Sequence, residues 1–213
     1  MMQATPFFLC LLLLASYVVG SIPFGWLLAR LKGVDLRTCG SGNIGATNVF
    51  RCIGEGWGVL ALVLDALKGF LPAFVFPRLL ALPAPAWFGI ACGMAAVAGH
   101  NWPVWLKFKG GKGVSTSAGM LLGIAPAAAG MGILAFAITV GLFRWVSLAS
   151  MVAAVAAALA GVWLYGPTQP LLAAVLVMLA LLVVLKHRTN IRRLLQGTEP
   201  KIVGRGSKRP SGE

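Results

Sequence analysis

Three short segments interrupt an otherwise apolar chain, and each carries residue types suited to holding a phosphate. The first runs Ser41-Gly42-Asn43-Ile44-Gly45-Ala46-Thr47-Asn48-Val49-Phe50-Arg51. Its glycines free the backbone for tight turns. Its Ser, Thr and Asn side chains supply uncharged hydrogen-bonding groups, and Arg51 adds a planar fork that matches phosphate geometry. The same composition also suits a polar inter-helix loop built from caps and turns. The second runs from Gly99-His100-Asn101-Trp102-Pro103 through Lys107-Phe108-Lys109 to Gly110-Gly111-Lys112-Gly113-Val114. Glycines directly before an apolar helix present backbone N–H groups to an anion, and Lys112 adds a point charge. A cytoplasmic anchor with interfacial tryptophans accounts for the lysines, Trp102 and Trp105, but not for glycines crowded around Lys112. His100 reads as a helix-end cap or an interfacial hydrogen-bonding group rather than a catalytic base. The third is Lys186-His187-Arg188-Thr189-Asn190-Ile191-Arg192-Arg193-Leu194-Leu195-Gln196-Gly197-Thr198-Glu199. His187 and Asn190 share a helix face. The arginines equally suit a polybasic anchor on anionic lipid.

The acids exclude as much as the bases suggest. They are Asp35, Glu55, Asp65, Glu199 and Glu213 alone. No Asp-x-x-x-Asp and no acidic pair within one of these segments is available for a divalent ion, so no metal and no cofactor is expected. A Walker A loop is excluded because its first glycine would fall at Leu106. Gly-x-Ser-x-Gly is absent, as is His-x-x-x-x-Asp, whose last position holds Trp105 or Arg192.

The elements that position these segments are set by composition. Of 213 residues, 59% are hydrophobic and 11% charged, with 18 Lys and Arg against 5 Asp and Glu. A soluble domain cannot bury that much apolar surface, so the fold class is an all-α integral membrane protein. Its net charge of +13 suits anions or anionic lipid, and nothing calls for nucleic acid. Apolar runs cover Phe7 to Ala29, Trp57 to Pro77, Pro85 to Trp102, Ser147 to Tyr165 and Leu171 to Leu185. Turns fall at Pro83, Pro85, Pro167 and Pro170. Val114 to Phe143 is too long for one crossing. Basic clusters on both sides require an even number of passes, which predicts two short helices broken near Ala125-Pro126. The count is seven transmembrane helices, N-terminus outside and C-terminus cytoplasmic, with every Lys and Arg inside except Lys68 and Arg78. Asp65 and Lys68, three apart, read as a structural intramembrane pair. Cys10, Cys39, Cys52 and Cys92 read as free thiols. Residues 1–199 form one polytopic domain, and 200–213 a polar, disordered tail.

Taken together, these segments resemble the PlsY family of bacterial membrane acyl-phosphate:glycerol-3-phosphate acyltransferases. The likeness rests on Ser41 to Val49 with Arg51, on Asp65-Ala66-Leu67-Lys68-Gly69, and on Gly99-His100-Asn101-Trp102-Pro103 leading into Phe108 to Val114. Arg144 with Ser147 to Ser150, and Lys186 to Glu199, complete it. The resemblance implies a metal-free site on the cytoplasmic face of the inner membrane. It implies acyl transfer from acyl phosphate to the sn-1 hydroxyl of glycerol 3-phosphate, giving lysophosphatidic acid and phosphate. The enzyme that supplies acyl phosphate is a candidate partner.

Two dianions held together need several fixed cations and N–H donors. Arg51 and Lys112 are assigned to phosphate charge. Ser41, Gly42, Asn43, Thr47, Asn48 and the backbone of Gly110, Gly111 and Gly113 are assigned to cradling phosphate and polarising the acyl carbonyl. His187 and Asn190 orient the glycerol hydroxyl, with either His187 or a substrate phosphate taking its proton. Ser147, Ser150 and Glu199 face glycerol 3-phosphate. The rival reading is a transporter or flippase of small phosphorylated molecules.

Overall fold

A computed structural model describes residues 5–80 and 84–202, and its regular elements are helical. The first apolar run forms α1 (Pro6–Ser21) and α2 (Phe24–Leu31). Thr5 caps α1 by accepting the N–H of Phe8, with Pro6 in the first turn, where a missing N–H costs nothing. The run was expected as one helix and instead breaks at Ile22 and Pro23, because a proline cannot continue the hydrogen-bond ladder. The first polar segment ends in a short amphipathic helix, α3 (Ala46–Ile53), leading into α4 (Glu55–Phe74). Then come α5 (Ala86–Asn101), α6 (Val114–Ile124), α7 (Pro126–Phe143), α8 (Val146–Tyr165), α9 (Pro170–Lys186) and α10 (Arg188–Leu195).

The break predicted near Ala125-Pro126 is where α6 hands over to α7, with Ala125 between them. At 11 residues α6 is only about 16 Å long, half of a hydrocarbon core of roughly 30 Å. Its far end is covered by protein, since Ala125 is fully buried, as such a helix requires. Among the described residues, four stretches are long and apolar enough to cross a membrane: Pro6–Leu31, α4, α7 and α8. The pair α9 and α10, bent by 57° at His187, makes a fifth. Helices α5 and α6 are shorter than a full crossing.

Packing explains the small residues. A Cβ on Gly119 would fall 1.9 Å from the Ala66 carbonyl oxygen, and one on Gly69 2.0 Å from that of Thr116. The backbones of α4 and α6 therefore touch, the close approach that small residues permit between membrane helices. Met120 of α6 and Leu172, Leu176 and Leu179 of α9 belong to one buried apolar core that α4, α5, α7 and α8 complete. Trp163, Leu181 and Leu14 point outward, where only lipid makes large exposed apolar side chains favourable.

Two sequence expectations change. Cys39 and Cys52 are joined as a disulfide, with Cα atoms 6.2 Å apart, whereas Cys10 and Cys92 are free. The pairing arises because the loop after α2 doubles back onto α3 and brings positions 13 apart together. Pro200 and Ile202, assigned to the tail, are instead held: the Pro200 carbonyl accepts from Arg51 at 3.1 Å, and the Ile202 N–H donates to the Arg144 carbonyl at 2.8 Å. The turn expected at Pro83 and the tail from 203 onward lie outside the described residues.

Candidate active site

The first wall is shaped by Asn48. Its amide nitrogen donates to the carbonyls of Leu36 (3.2 Å) and Cys39 (3.0 Å), while its oxygen accepts the Ser41 N–H at 2.8 Å. Asn43 closes a tight turn by accepting the Gly45 N–H at 2.9 Å. Thr47 and Arg51, one turn apart on α3, face the same way as Ser41 and Asn43, and all of them line one cavity of about 130 Å³. Asn48, expected to cradle phosphate, also lines the cavity, while its amide is engaged by the loop that carries the others.

The second wall is the turn into α6. Gly113, at φ +78°, takes the N-cap position, a conformation that favours glycine. Beyond it Val114 and Ser115 line the cavity, so the first-turn N–H groups of α6 lie at its edge. Lys112 reaches in and donates to Asn190 Oδ1. Burial pushes its ammonium down to about 8, a trend that Glu199 opposes and that Arg193 and Arg51 reinforce. Gly110 and Gly111 do not line the cavity; they pack behind it on the end of α5. Gly42 also stays outside, in its turn at φ +71°.

His187, Asn190 and Glu199 form the third wall. His187 follows the last residue of α9, with Nδ1 2.7 Å from the Val183 carbonyl oxygen. A carbonyl only accepts, so Nδ1 carries the proton and Nε2 is left as an acceptor. Burial first, and Lys112 second, push its imidazole down to about 4. Asn190 donates to Glu199 Oε1 and Arg193 to Oε2, both at 2.7 Å. Burial alone would raise the Glu199 carboxyl, but the hydrogen bonds from Asn190 and Arg193 bring it below its ordinary value. Ser147 and Ser150, in the first turns of α8, complete the wall. Burial lowers the Arg51 guanidinium despite the attraction of Glu199. Arg51 and Lys112 face two carboxylates in the lining, Asp65 and Glu199, but each carboxylate is already paired, with Lys68 and Arg193, so the site as a whole carries excess positive charge. Among the described residues no cluster of His, Cys, Asp and Glu is arranged to hold a metal ion.

Sequence reasoning missed several lining residues. Asp65 and His100 reach the cavity floor from α4 and α5. Leu62, Phe136 and Val146 contribute apolar surface. A second, apolar cleft of about 330 Å³ adjoins it between α6, α7, α8 and α9, and Leu62, Val114, Ser115, Phe136 and Ser150 belong to both. A cationic chamber opening onto an apolar cleft fits a molecule with a phosphate at one end and a hydrocarbon chain at the other.

Comparison with known proteins bears on this geometry directly. The family model for glycerol-3-phosphate acyltransferase matches residues 10–197. The chain is 50% identical over 194 residues to a glycerol-3-phosphate acyltransferase of Anaeromyxobacter sp. (strain K), covering 90% of this chain and 96% of that one. The chain belongs to the glycerol-3-phosphate acyltransferase family. An acyltransferase of that name from Aquifex aeolicus is 42% identical over 191 residues, 88% of this chain and 96% of its own. Two crystal structures of PlsY (YgiH), an integral membrane glycerol 3-phosphate acyltransferase, superpose on it. The glycerol 3-phosphate form has a TM-score of 0.84 at 40% identity, covering 92% of this chain and 96% of that chain. The lysophosphatidic acid form has a TM-score of 0.81 at 39% identity, with 92% and 95% covered. This acyltransferase is therefore a multi-pass membrane protein, and family membership favours group transfer over transport.

Proposed function

We propose that the chain transfers a fatty acyl group from acyl phosphate to the sn-1 hydroxyl of glycerol 3-phosphate, releasing phosphate and lysophosphatidic acid. The continuity of the cationic chamber with the apolar cleft carries this reading: the cleft takes the acyl chain, and the chamber takes both phosphates. Arg51 and Lys112 neutralise phosphate charge. Ser41, Asn43, Thr47 and the α6 N-terminus donate hydrogen bonds to phosphate and to the acyl carbonyl oxygen as charge develops on it. Ser147, Ser150 and Glu199 line the side given to glycerol 3-phosphate.

His187 Nε2 accepts the hydrogen bond of the attacking hydroxyl and orients it. An imidazole held near 4 is a reluctant proton acceptor, so the proton passes to the departing phosphate. A new ester C–O bond forms, the bond from acyl carbon to phosphate oxygen breaks, and hydrogen phosphate leaves. Acyl phosphate is an activated anhydride, so positioning supplies much of the rate.

The basic residues favour seven helices that enter or cross the bilayer, with the N-terminus outside, the C-terminus cytoplasmic and the chamber on the cytoplasmic face of the bacterial inner membrane. Residues 1–199 act as one domain. The short-lived donor favours proximity to the enzyme that makes it. The test uses purified protein, palmitoyl phosphate and EDTA, with products identified by mass. Lysophosphatidic acid formed only when glycerol 3-phosphate is present supports the reading. Phosphate release without acyl transfer, or no turnover, overturns it.

A further inference from the structure

The Asp65–Lys68 pair has no part in the reaction as described, yet it is buried at the cavity floor. Lys68 Nζ lies 2.8 Å from Asp65 Oδ1 and donates to the Ile22 carbonyl at 2.7 Å, at the break between α1 and α2. On its other side Asp65 faces His100, with Nδ1 3.6 Å from Oδ1, and none of these side chains is more than 6% exposed. A buried ion pair is a weak source of stability, since apolar replacements of similar volume often fold as well. Here its negative end faces the His100 ring in the last turn of α5.

That turn is the seat of the Gly110–Gly113 loop. The Gly111 N–H donates to the His100 carbonyl at 3.1 Å. A Cβ on Gly111 would fall 2.2 Å from His100 Nε2, so the ring occupies the place of the missing side chain. The next residue does the same at Gly113, where a Cβ would lie 2.8 Å from Asn101 Oδ1. Lys112 stands between these two seated glycines and reaches into the cavity toward Asn190. The glycines around Lys112 thus serve contact with α5 as well as backbone freedom.

We infer that His100, buried beside the Asp65–Lys68 pair, is a positioning residue that seats Gly111 and so sets where Lys112 and the α6 N-terminus meet a substrate phosphate. The inference rests on the reading that this loop binds phosphate. It predicts that His100 and Gly111 act as one unit. Gly111→Ala puts a methyl group against the ring. His100→Asn keeps a donor toward Asp65 but removes the ring edge that Gly111 touches. Each single variant raises KM for a phosphorylated substrate about tenfold, and the double variant, whose methyl group fills the vacated space, returns to within about threefold of the unaltered protein.

A second readout is independent of turnover. Amide hydrogen exchange of residues 110–116 speeds up in each single variant and slows again in the double, while the other helices are unchanged. Multiplying losses in KM together with unrestored exchange would overturn the inference. So would single variants that lower the melting temperature with KM and local exchange unchanged. If the unaltered protein transfers no acyl group, the functional reading fails, and the exchange data still decide how the loop is seated.

Discussion

Replacing Lys112 by methionine keeps most of the side-chain volume and removes the charge. The structure sets the size of the effect. Moving the ammonium from its ordinary 10.5 to about 8 corresponds to about 3 kcal/mol of disfavoured charge in the empty site. Under the proposed function, a phosphate dianion bound beside Lys112 would restore the balance. Losing one charge-assisted contact from a largely dry site costs about the same, which is roughly a hundredfold in kcat/KM. Lys112→Arg restores little, because a fork cannot replace a point charge aimed at Asn190. The pH dependence carries the same signature. The free enzyme holds Lys112 charged below about 8 and loses the charge as pH rises through that value. KM for a phosphorylated substrate therefore climbs on the alkaline side. Bound phosphate raises the Lys112 pKa, so the corresponding limb in kcat lies at higher pH. Steady-state phosphate release, measured from pH 6 to 10 in detergent, reads both. A Lys112→Met enzyme within about fivefold of the unaltered protein, or one that keeps the alkaline limb in KM, would refute the reasoning.

Other perturbations separate scaffold from chemistry. Asn48→Ala removes the buried contacts that shape the first loop and lowers stability by about 2–4 kcal/mol, read as thermal unfolding, whereas Cys39→Ser with Cys52→Ser costs less because Asn48 still holds the turn. His187 contributes no inflection near its ordinary value of 6.5 to the kcat/KM profile, since in the free enzyme its imidazole stays neutral until pH approaches 4. His187→Ala still lowers kcat by misplacing the hydroxyl, and an unchanged kcat at saturating glycerol 3-phosphate would remove it from the site. Ala154→Phe narrows the apolar cleft and shifts preference from palmitoyl toward lauroyl phosphate by about tenfold, judged from the ratio of their kcat/KM values.

The polar segments are legible in the sequence because charge and glycine are costly in an apolar chain and need a reason. Arg51, Lys112, His187, Asn190 and Glu199 stand out for that cause alone, and they surround one cavity. The break at Ala125 is equally readable, since Pro126 lacks the N–H that would continue α6. The same logic applies to Pro23, where an unbroken apolar run conceals it. What composition cannot show is convergence. Asp65 lies far from the loops in sequence, and only the close packing of α4 brings it beside His100, the residue against which Gly111 sits. Cys39 meets Cys52 because Asn48, a side chain of α3, binds the preceding loop and folds it back. The apolar cleft is built largely from alanines and leucines that look like any other core.

The central claim is that one cationic chamber gathers both phosphates while the adjoining cleft takes the hydrocarbon chain. It is tested most directly by a crystal structure with glycerol 3-phosphate and a non-hydrolysable acyl phosphonate bound together. Both phosphorus atoms are expected among Arg51, Lys112 and the α6 N-terminus, with the chain running between α6, α7 and α8. A phosphate bound away from that chamber, or a chain lying outside the cleft, would contradict it.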